Sequence, residues 1–130
     1  MDITIRGINR TFVKFAIVGA SGVLVNECVL IALHGYGFHL LVCSIVAIEL
    51  SILSNFVLNN AWTFGGEGSK TLLRKLGCFQ VISIAGALIN IIVLSSLTMV
   101  GIDYRIANII GIGCGFLFNY MLNKSITWGN

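Results

Sequence analysis

Two pairs of asparagines have the type and spacing to bind a phosphate group. Asn55 and Asn59 form one pair, and Asn119 and Asn123 form the other. A separation of four residues places both amides of a pair on one face of a helix. Amide and cationic N–H donors together suit phosphate oxygens, and we expect these basic residues to border the pairs: Arg10, Lys14, Arg74, Lys75 and Lys124. The pattern predicts a site for a lipid phosphate, with hydrogen bonding between helices as the structural alternative.

The composition is that of an integral membrane protein. Of the 130 residues 57% are hydrophobic and 10% are charged, and the mean hydropathy is +0.97. These charges are too few to form the polar surface of a soluble domain. Four apolar runs of about 20 residues can each cross about 30 Å of hydrocarbon. We predict an all-α membrane protein with a short amphipathic segment over 1–11, no soluble domain and transmembrane helices at about 12–33, 40–62, 76–98 and 104–126.

The second half of the chain repeats the first half with an offset of 64 residues. Sixteen of the 55 positions in 10–64 are identical to their counterparts in 74–128. A period of this kind indicates a duplicated structural unit. We therefore predict a single membrane domain over 1–130, built from two tandem helical hairpins: repeat 1 at about 10–64, a polar linker at 65–73, and repeat 2 at about 74–128.

The basic residues predict the orientation of the chain in the membrane. Seven of the eight lysines and arginines lie near the termini or in the linker, and Arg105 alone lies near a hairpin turn. Positively charged segments remain in the cytoplasm. Both termini and the linker are therefore predicted to be cytoplasmic, and the two repeats to be parallel. We expect a multi-pass protein of the cell inner (cytoplasmic) membrane.

Two glutamates inside apolar runs form a second candidate site. Counted from the hairpin turn, Glu27 lies roughly 9 Å deep and Glu49 roughly 14 Å deep, at 1.5 Å per residue. A charge near the bilayer centre costs about 2.5–3.5 kcal/mol. We expect the carboxyl groups to face each other across the hairpin, with burial holding a proton on at least one near neutral pH. With Asn26 and Asn90 they form a predicted sugar- or proton-binding set; a carboxyl that is hydrogen-bonded for structure alone is the alternative.

Aromatic and charged residues near the ends of the spans suggest further contacts. Trp62, Phe64 and Trp128 are predicted to anchor the protein at the membrane interface. Asp103 and Arg105 are expected to pair with each other, with contact to a sugar headgroup as the alternative.

Small residues recur at a spacing of four in the second and fourth spans. Gly111 and Gly115 correspond to Ala47 and Ser51 under the offset of 64. Small residues at this spacing allow helix backbones to approach closely. We expect a packing seam here, either between the two repeats or between two subunits.

The motifs N-F-x-L-N-x-x-W-x-F at 55–64 and R-x-F-V-K-F-x-I-V-G at 10–19, with four spans in 130 residues, resemble the GtrA family over 10–128. The resemblance implies translocation of polyprenyl-phosphate-linked sugars, such as undecaprenyl-phosphate glucose, to the outer leaflet for polysaccharide synthesis. A glycosyltransferase then uses the sugar, and related domains occur fused to such enzymes. The family often has a basic residue after the second asparagine of the first copy, where this chain has Asn60; Lys124 holds that position in the second copy.

The sequence shows no catalytic constellation, nucleotide motif or metal-ligand cluster. We therefore do not expect an enzyme, a cofactor, a metal or a nucleic-acid partner, and the resemblance to the GtrA family implies a flippase. Four helices leave little room for an enclosed path, so we expect a homodimer or a complex with a membrane glycosyltransferase. Two alternatives remain: an adaptor that binds polyprenyl phosphate and recruits a glycosyltransferase, and a small proton-coupled exporter resembling small multidrug resistance proteins. The one-sided distribution of basic residues argues against the exporter.

Overall fold

A computed structural model describes residues 2–129, with side chains from Arg10 onward. The described chain forms four α-helices, α1 (Asp2–Gly35), α2 (Leu40–Leu58), α3 (Leu72–Met99) and α4 (Tyr104–Leu122). Two of them continue into π-helical segments, α2 into Asn59–Thr63 and α4 into Asn123–Thr127. Four stretches are long and apolar enough to cross a membrane: Arg10–Gly35, Leu40–Thr63, Leu72–Met99 and Tyr104–Thr127. The predicted all-α architecture with four membrane spans is confirmed.

Two helix boundaries differ from the predicted ones. α1 runs unbroken from Asp2, so over the described residues there is no separate surface segment before the first span; Met1 lies outside the described residues. α3 begins at Leu72 instead of residue 76. Its first turn is stabilised by Thr71, whose hydroxyl accepts a hydrogen bond from the backbone N–H of Arg74 at 3.3 Å, as is typical of a helix N-cap.

The described residues fall into two compact units, one ending at Glu67 and the other beginning at Gly68. Each unit is a helical hairpin. In the first, α1 packs against α2 and its π-helical segment; in the second, α3 packs against α4 and its π-helical segment. For each hairpin we call the end with the tight turn the turn end, and the end with the π-helical segment the π end.

The two turn ends are built in the same way. Gly37 and Gly101 have φ values of +92° and +96°, a backbone conformation that favours glycine and ends the preceding helix. A side chain two residues later then caps the next helix. In the first hairpin, Nδ1 of His39 accepts a hydrogen bond from the backbone N–H of Leu41 at 3.2 Å. In the second, a carboxylate oxygen of Asp103 accepts one from the backbone N–H of Arg105 at 2.9 Å. The two turns therefore have the glycine and the capping side chain at equivalent positions.

The helices of the second hairpin approach each other at glycines. A Cβ atom added at Gly115 would lie 2.7 Å from the carbonyl oxygen of Gly86, and one added at Gly111 would lie 2.8 Å from that of Asn90. Carbon and oxygen cannot approach this closely without a shift of the backbone. Glycine at both positions therefore sets the distance between α3 and α4.

The equivalent contact in the first hairpin uses a hydrogen bond. Ser51 donates its hydroxyl to the carbonyl oxygen of Gly22 at 2.8 Å, and Ala47 is fully buried on the same helix. In both hairpins the small residues contact the partner helix of the same hairpin. The predicted packing seam is present, but it lies within each hairpin instead of between the repeats; a further contact between subunits stays a prediction.

We predict that Gly115→Ala destabilises the protein by about 1–3 kcal/mol, because the added methyl group overpacks the contact with Gly86. This cost exceeds the gain of up to about 1 kcal/mol in helix propensity. Gly113→Ala is the matched control on the same helix, because nothing lies within 4 Å of its added Cβ. Thermal unfolding in detergent, followed by circular dichroism, compares the two variants. Equal melting temperatures would contradict the proposed close packing.

Candidate functional site

A buried asparagine begins the π-helical segment of the first hairpin, and a buried threonine ends it. Asn59 is 2% exposed, and its side-chain oxygen accepts a hydrogen bond from the Thr63 hydroxyl at 2.7 Å. The backbone N–H of Phe64 donates to the carbonyl of Asn59 at 2.9 Å, a bond across five residues that widens the turn. Buried polar groups are costly unless they are paired. The threonine therefore supplies the hydroxyl that the buried amide needs.

The second hairpin repeats this arrangement. Asn123 is fully buried and accepts a hydrogen bond from Thr127 at 2.7 Å, while the backbone N–H of Trp128 donates to the Asn123 carbonyl at 3.0 Å. Asn123 Nδ2 has no partner among the described residues. Widened turns of this kind occur often at functional sites. The threonines are functional candidates that the sequence reasoning missed, although their separation of four residues from the asparagines in both repeats was a usable signal.

An aromatic pair closes each π end. The ring of Phe64 meets that of Phe15 edge to face at 6.2 Å, and the ring of Trp128 meets that of Phe79 in the same way at 5.8 Å. Phe64 and Trp128 are buried, so the prediction that they anchor the protein at the interface is wrong. Edge-to-face pairs contribute about 0.5–1.5 kcal/mol beyond their buried area. Their role is to hold the π-helical segment against the first helix of its hairpin. Trp62, by contrast, is 46% exposed.

Three other asparagines lie between the helices of their own hairpin. Asn55, Asn90 and Asn119 are partly buried, and each amide occupies the space that a Cβ would need at a glycine of the neighbouring helix: Gly22, Gly111 and Gly86, respectively. The side-chain oxygen of each has no conventional hydrogen-bond partner in the described part of the chain. The nearest amide atom is the oxygen at Gly22 and Gly111 and the nitrogen at Gly86, so a weak hydrogen bond from a glycine Cα–H suits the first two contacts and not the third. These amides therefore link helices within a hairpin.

The exposed cations are concentrated at the π ends. Lys14 is partly buried, with Nζ 5.3 Å from the centre of the Trp62 ring, and Lys124 Nζ lies 5.8 Å from the Tyr120 ring. Such cation–π contacts orient a lysine and leave its ammonium group accessible on the far side. Among the predicted phosphate-binding residues, the exposed ones are Arg10, Arg74 and Lys124. Lys75, in contrast, is only 5% exposed.

The connector between the hairpins contacts the second π-helical segment. Lys70 Nζ donates to the carbonyl oxygen of Ile126 at 2.5 Å. Gly68, with a φ of +92°, lies so close to Trp128 that an added Cβ would be 3.0 Å from the Trp128 carbonyl oxygen. The connector therefore satisfies a carbonyl near the end of the helix, where no intrahelical donor follows. No sequence pattern indicated this contact.

Three of the predicted sugar- or proton-binding residues belong to the first hairpin, and Asn90 belongs to the second. Asn26 is partly buried, whereas Glu27 and Glu49 are exposed on the outside of the first hairpin. The two carboxyl groups are therefore not enclosed between α1 and α2, and a role for them in binding a sugar or a proton stays a prediction. At membrane depth an exposed carboxyl group requires water, a ligand or another protein surface.

We predict that Thr127→Val destabilises the protein by about 1–3 kcal/mol, because it leaves the buried Asn123 oxygen without a donor. Ser125→Ala is the control: Ser125 is exposed, and among the described residues its hydroxyl bonds to carbonyls of its own helix. Chemical or thermal unfolding in micelles gives the two stabilities. A Thr127→Val protein as stable as Ser125→Ala would show that the Asn–Thr hydrogen bond contributes little.

Comparison with known proteins finds a matching family and a similar protein. The family model described as GtrA/DPMS, transmembrane domain, matches residues 14–129. A protein of Pyrococcus furiosus named dolichol-phosphate mannosyltransferase is 41% identical over 116 residues. These residues are 89% of this chain and 33% of that protein, so the chain spans about a third of the length of this relative.

Proposed function

The chain belongs to the GtrA/DPMS transmembrane-domain family, and we propose that it flips a polyprenyl-phosphate-linked monosaccharide across the cytoplasmic membrane. The similarity to a dolichol-phosphate mannosyltransferase supports a polyprenyl-phosphate ligand. Undecaprenyl-phosphate glucose, supplied for cell-surface polysaccharide glycosylation, is the substrate that we put forward. The polyprenyl tail would remain in the hydrocarbon while the polar headgroup moves along the protein.

The observation that carries the proposal is the position of exposed cations beside the π-helical segments. Arg10 and Lys14 lie on α1 at the π end of the first hairpin, and Arg74 and Lys124 lie at the π end of the second. By the distribution of basic residues, this is the end that we assign to the cytoplasmic leaflet. Cationic N–H groups at headgroup depth would bind the phosphate there.

The asparagines would act after the phosphate has bound. Asn59 and Asn123 are enclosed by their hairpins in this conformation, so we assign first contact to the cations. Asn123 keeps an unpaired N–H donor, which a phosphate oxygen could accept once the π-helical segment opens. Asn55 and Asn119 keep unpaired oxygens that could accept sugar hydroxyl groups if the helices separate. We place Asn26, Asn90, Glu27 and Glu49 along the same path, and Lys75 beside its cytoplasmic entrance.

The exposed glutamate of α1 favours a protein partner. A carboxyl group that faces outward from a hairpin at membrane depth needs a protein or aqueous environment, and Glu27 is exposed in this way. A second copy of the chain or a membrane glycosyltransferase would provide it. We propose that the active unit includes one of these.

A second candidate function is that of an adaptor. The relative is named as a transferase and is about three times as long as the matching segment. This favours a role in which the chain binds polyprenyl phosphate and holds a glycosyltransferase at the membrane, without moving the lipid.

We predict that the reconstituted protein accelerates the movement of undecaprenyl-phosphate glucose between leaflets. In proteoliposomes, a membrane-impermeant oxidant reports the fraction of glucose exposed on the outer surface over time. Arg74→Gln is expected to weaken lipid binding about tenfold, because it removes a charge-assisted contact to phosphate.

Leu73→Gln is the matched control, since Leu73 is the neighbouring residue, is 80% exposed and carries no charge. Binding of the lipid without faster exchange between leaflets would favour the adaptor. The absence of both binding and exchange would reject both candidates.

A further inference from the structure

A groove lies at the turn end of the second hairpin, away from the cations discussed above. It has a volume of about 870 Å³ and lies between the last turns of α3 and the first turns of α4, within the range of small-ligand clefts, about 300–1,000 Å³. Its polar lining includes the side chains of Ser95, Thr98, Tyr104, Arg105 and Asn108. Apolar side chains complete the wall: Leu94, Met99 and Ile109.

The guanidinium group in this groove is held by a tyrosine. Arg105 Nε donates to the Tyr104 hydroxyl at 3.3 Å, and the guanidinium carbon lies 5.5 Å from the centre of the Tyr104 ring. The carboxylate of Asp103 accepts the backbone N–H of Arg105; the expected pairing of these residues thus involves the main chain. Two terminal guanidinium nitrogens remain on the side away from Nε, in the planar fork that suits two phosphate oxygens.

Comparison of the two repeats shows that most of this polar lining is peculiar to the second. With the offset of 64, Tyr104 and Arg105 correspond to Leu40 and Leu41, and Ser95 corresponds to Ile31. The turns themselves are alike, with glycine and a capping side chain at equivalent positions. The scaffold of the hairpin therefore does not require these polar residues, and a ligand is a physical reason for them.

We propose that this groove binds the phosphate-linked sugar of a polyprenyl lipid at the membrane surface opposite to the π ends. Arg105 contacts the phosphate, and Tyr104 and Asn108 contact sugar hydroxyls. The apolar wall of Leu94 and Ile109 faces the first isoprene units, which distinguishes a lipid-borne ligand from a free sugar phosphate. The identity of the ligand rests on the proposed function; the existence of the site rests on the groove itself.

The test uses the full chain in nanodiscs with farnesyl-phosphoryl glucose that carries a photoreactive group in its first isoprene unit. Mass spectrometry then locates and quantifies the labelled residues. We expect labelling of the apolar wall of the groove and a reduction of about tenfold in Arg105→Gln. Asn108→Ser, which restores the residue of the first repeat, Ser44, should give a smaller reduction. Leu41→Gln, the equivalent exposed position of the first hairpin, should leave the labelling unchanged.

Several outcomes would overturn the proposal. The absence of labelling in the groove excludes the site, whatever is labelled at the π ends. Labelling of the groove that neither Arg105→Gln nor Asn108→Ser reduces, while both variants keep the wild-type melting temperature, excludes it as well. Competition by glucose 1-phosphate that is as strong as competition by unlabelled farnesyl-phosphoryl glucose excludes the lipid-borne ligand. Movement of lipid between leaflets is measured separately in vesicles. Arg105-dependent labelling without such movement would reject the flippase and retain the site.

Discussion

The structure of each hairpin depends on a hydrogen bond to the side-chain oxygen of a buried asparagine close to the end of a membrane span. Asn59 and Asn123 have almost no contact with solvent, and each is bonded by a threonine of the same widened turn. An unpaired amide in an apolar surrounding costs several times what a normal hydrogen bond contributes. The threonine, the bond across five residues and the aromatic pair that follows therefore form one unit. A change in any one of them alters the packing of the others.

The duplicated hairpins share this unit and differ in what surrounds it. In the first hairpin Ser51 joins the helices by a hydrogen bond, whereas in the second Gly115 joins them by close backbone contact. The first hairpin places a lysine over an exposed tryptophan; the second has its connector bonded to the end of the helix. Duplication thus provides a common scaffold on which the two π ends and the two turn ends have become chemically distinct. Under the proposed function, a ligand that crosses the membrane would meet different groups at the two ends.

The spans and turns could be predicted from the sequence because hydropathy and glycine position determine them locally. The π-helical segments could not, since their hydrogen bonds depend on where Asn59 and Thr63 face after the hairpin has packed. The same limitation explains the wrong prediction for Phe64 and Trp128. From the sequence alone, an aromatic residue near the end of a span can lie either at the membrane interface or in the protein interior. The contact with a partner such as Phe15 decides between the two. The outward direction of Glu27 also depends on the angular position of α1 against α2. Residue types near the candidate site were thus predictable, and their exposure was not.

The chain contains two tryptophans, and the structure gives them opposite environments. Trp62 is about half exposed and lies beneath the ammonium group of Lys14, whereas Trp128 is enclosed against Phe79. Indole emission responds to local polarity and to nearby charge, so the protein carries two intrinsic optical reporters, one in each hairpin. An anion that draws Lys14 away from Trp62 would shift the emission wavelength of that tryptophan. Loosening of the second π-helical segment would shift the emission wavelength of Trp128. Replacement of either indole by phenylalanine would separate the two signals without any attached dye.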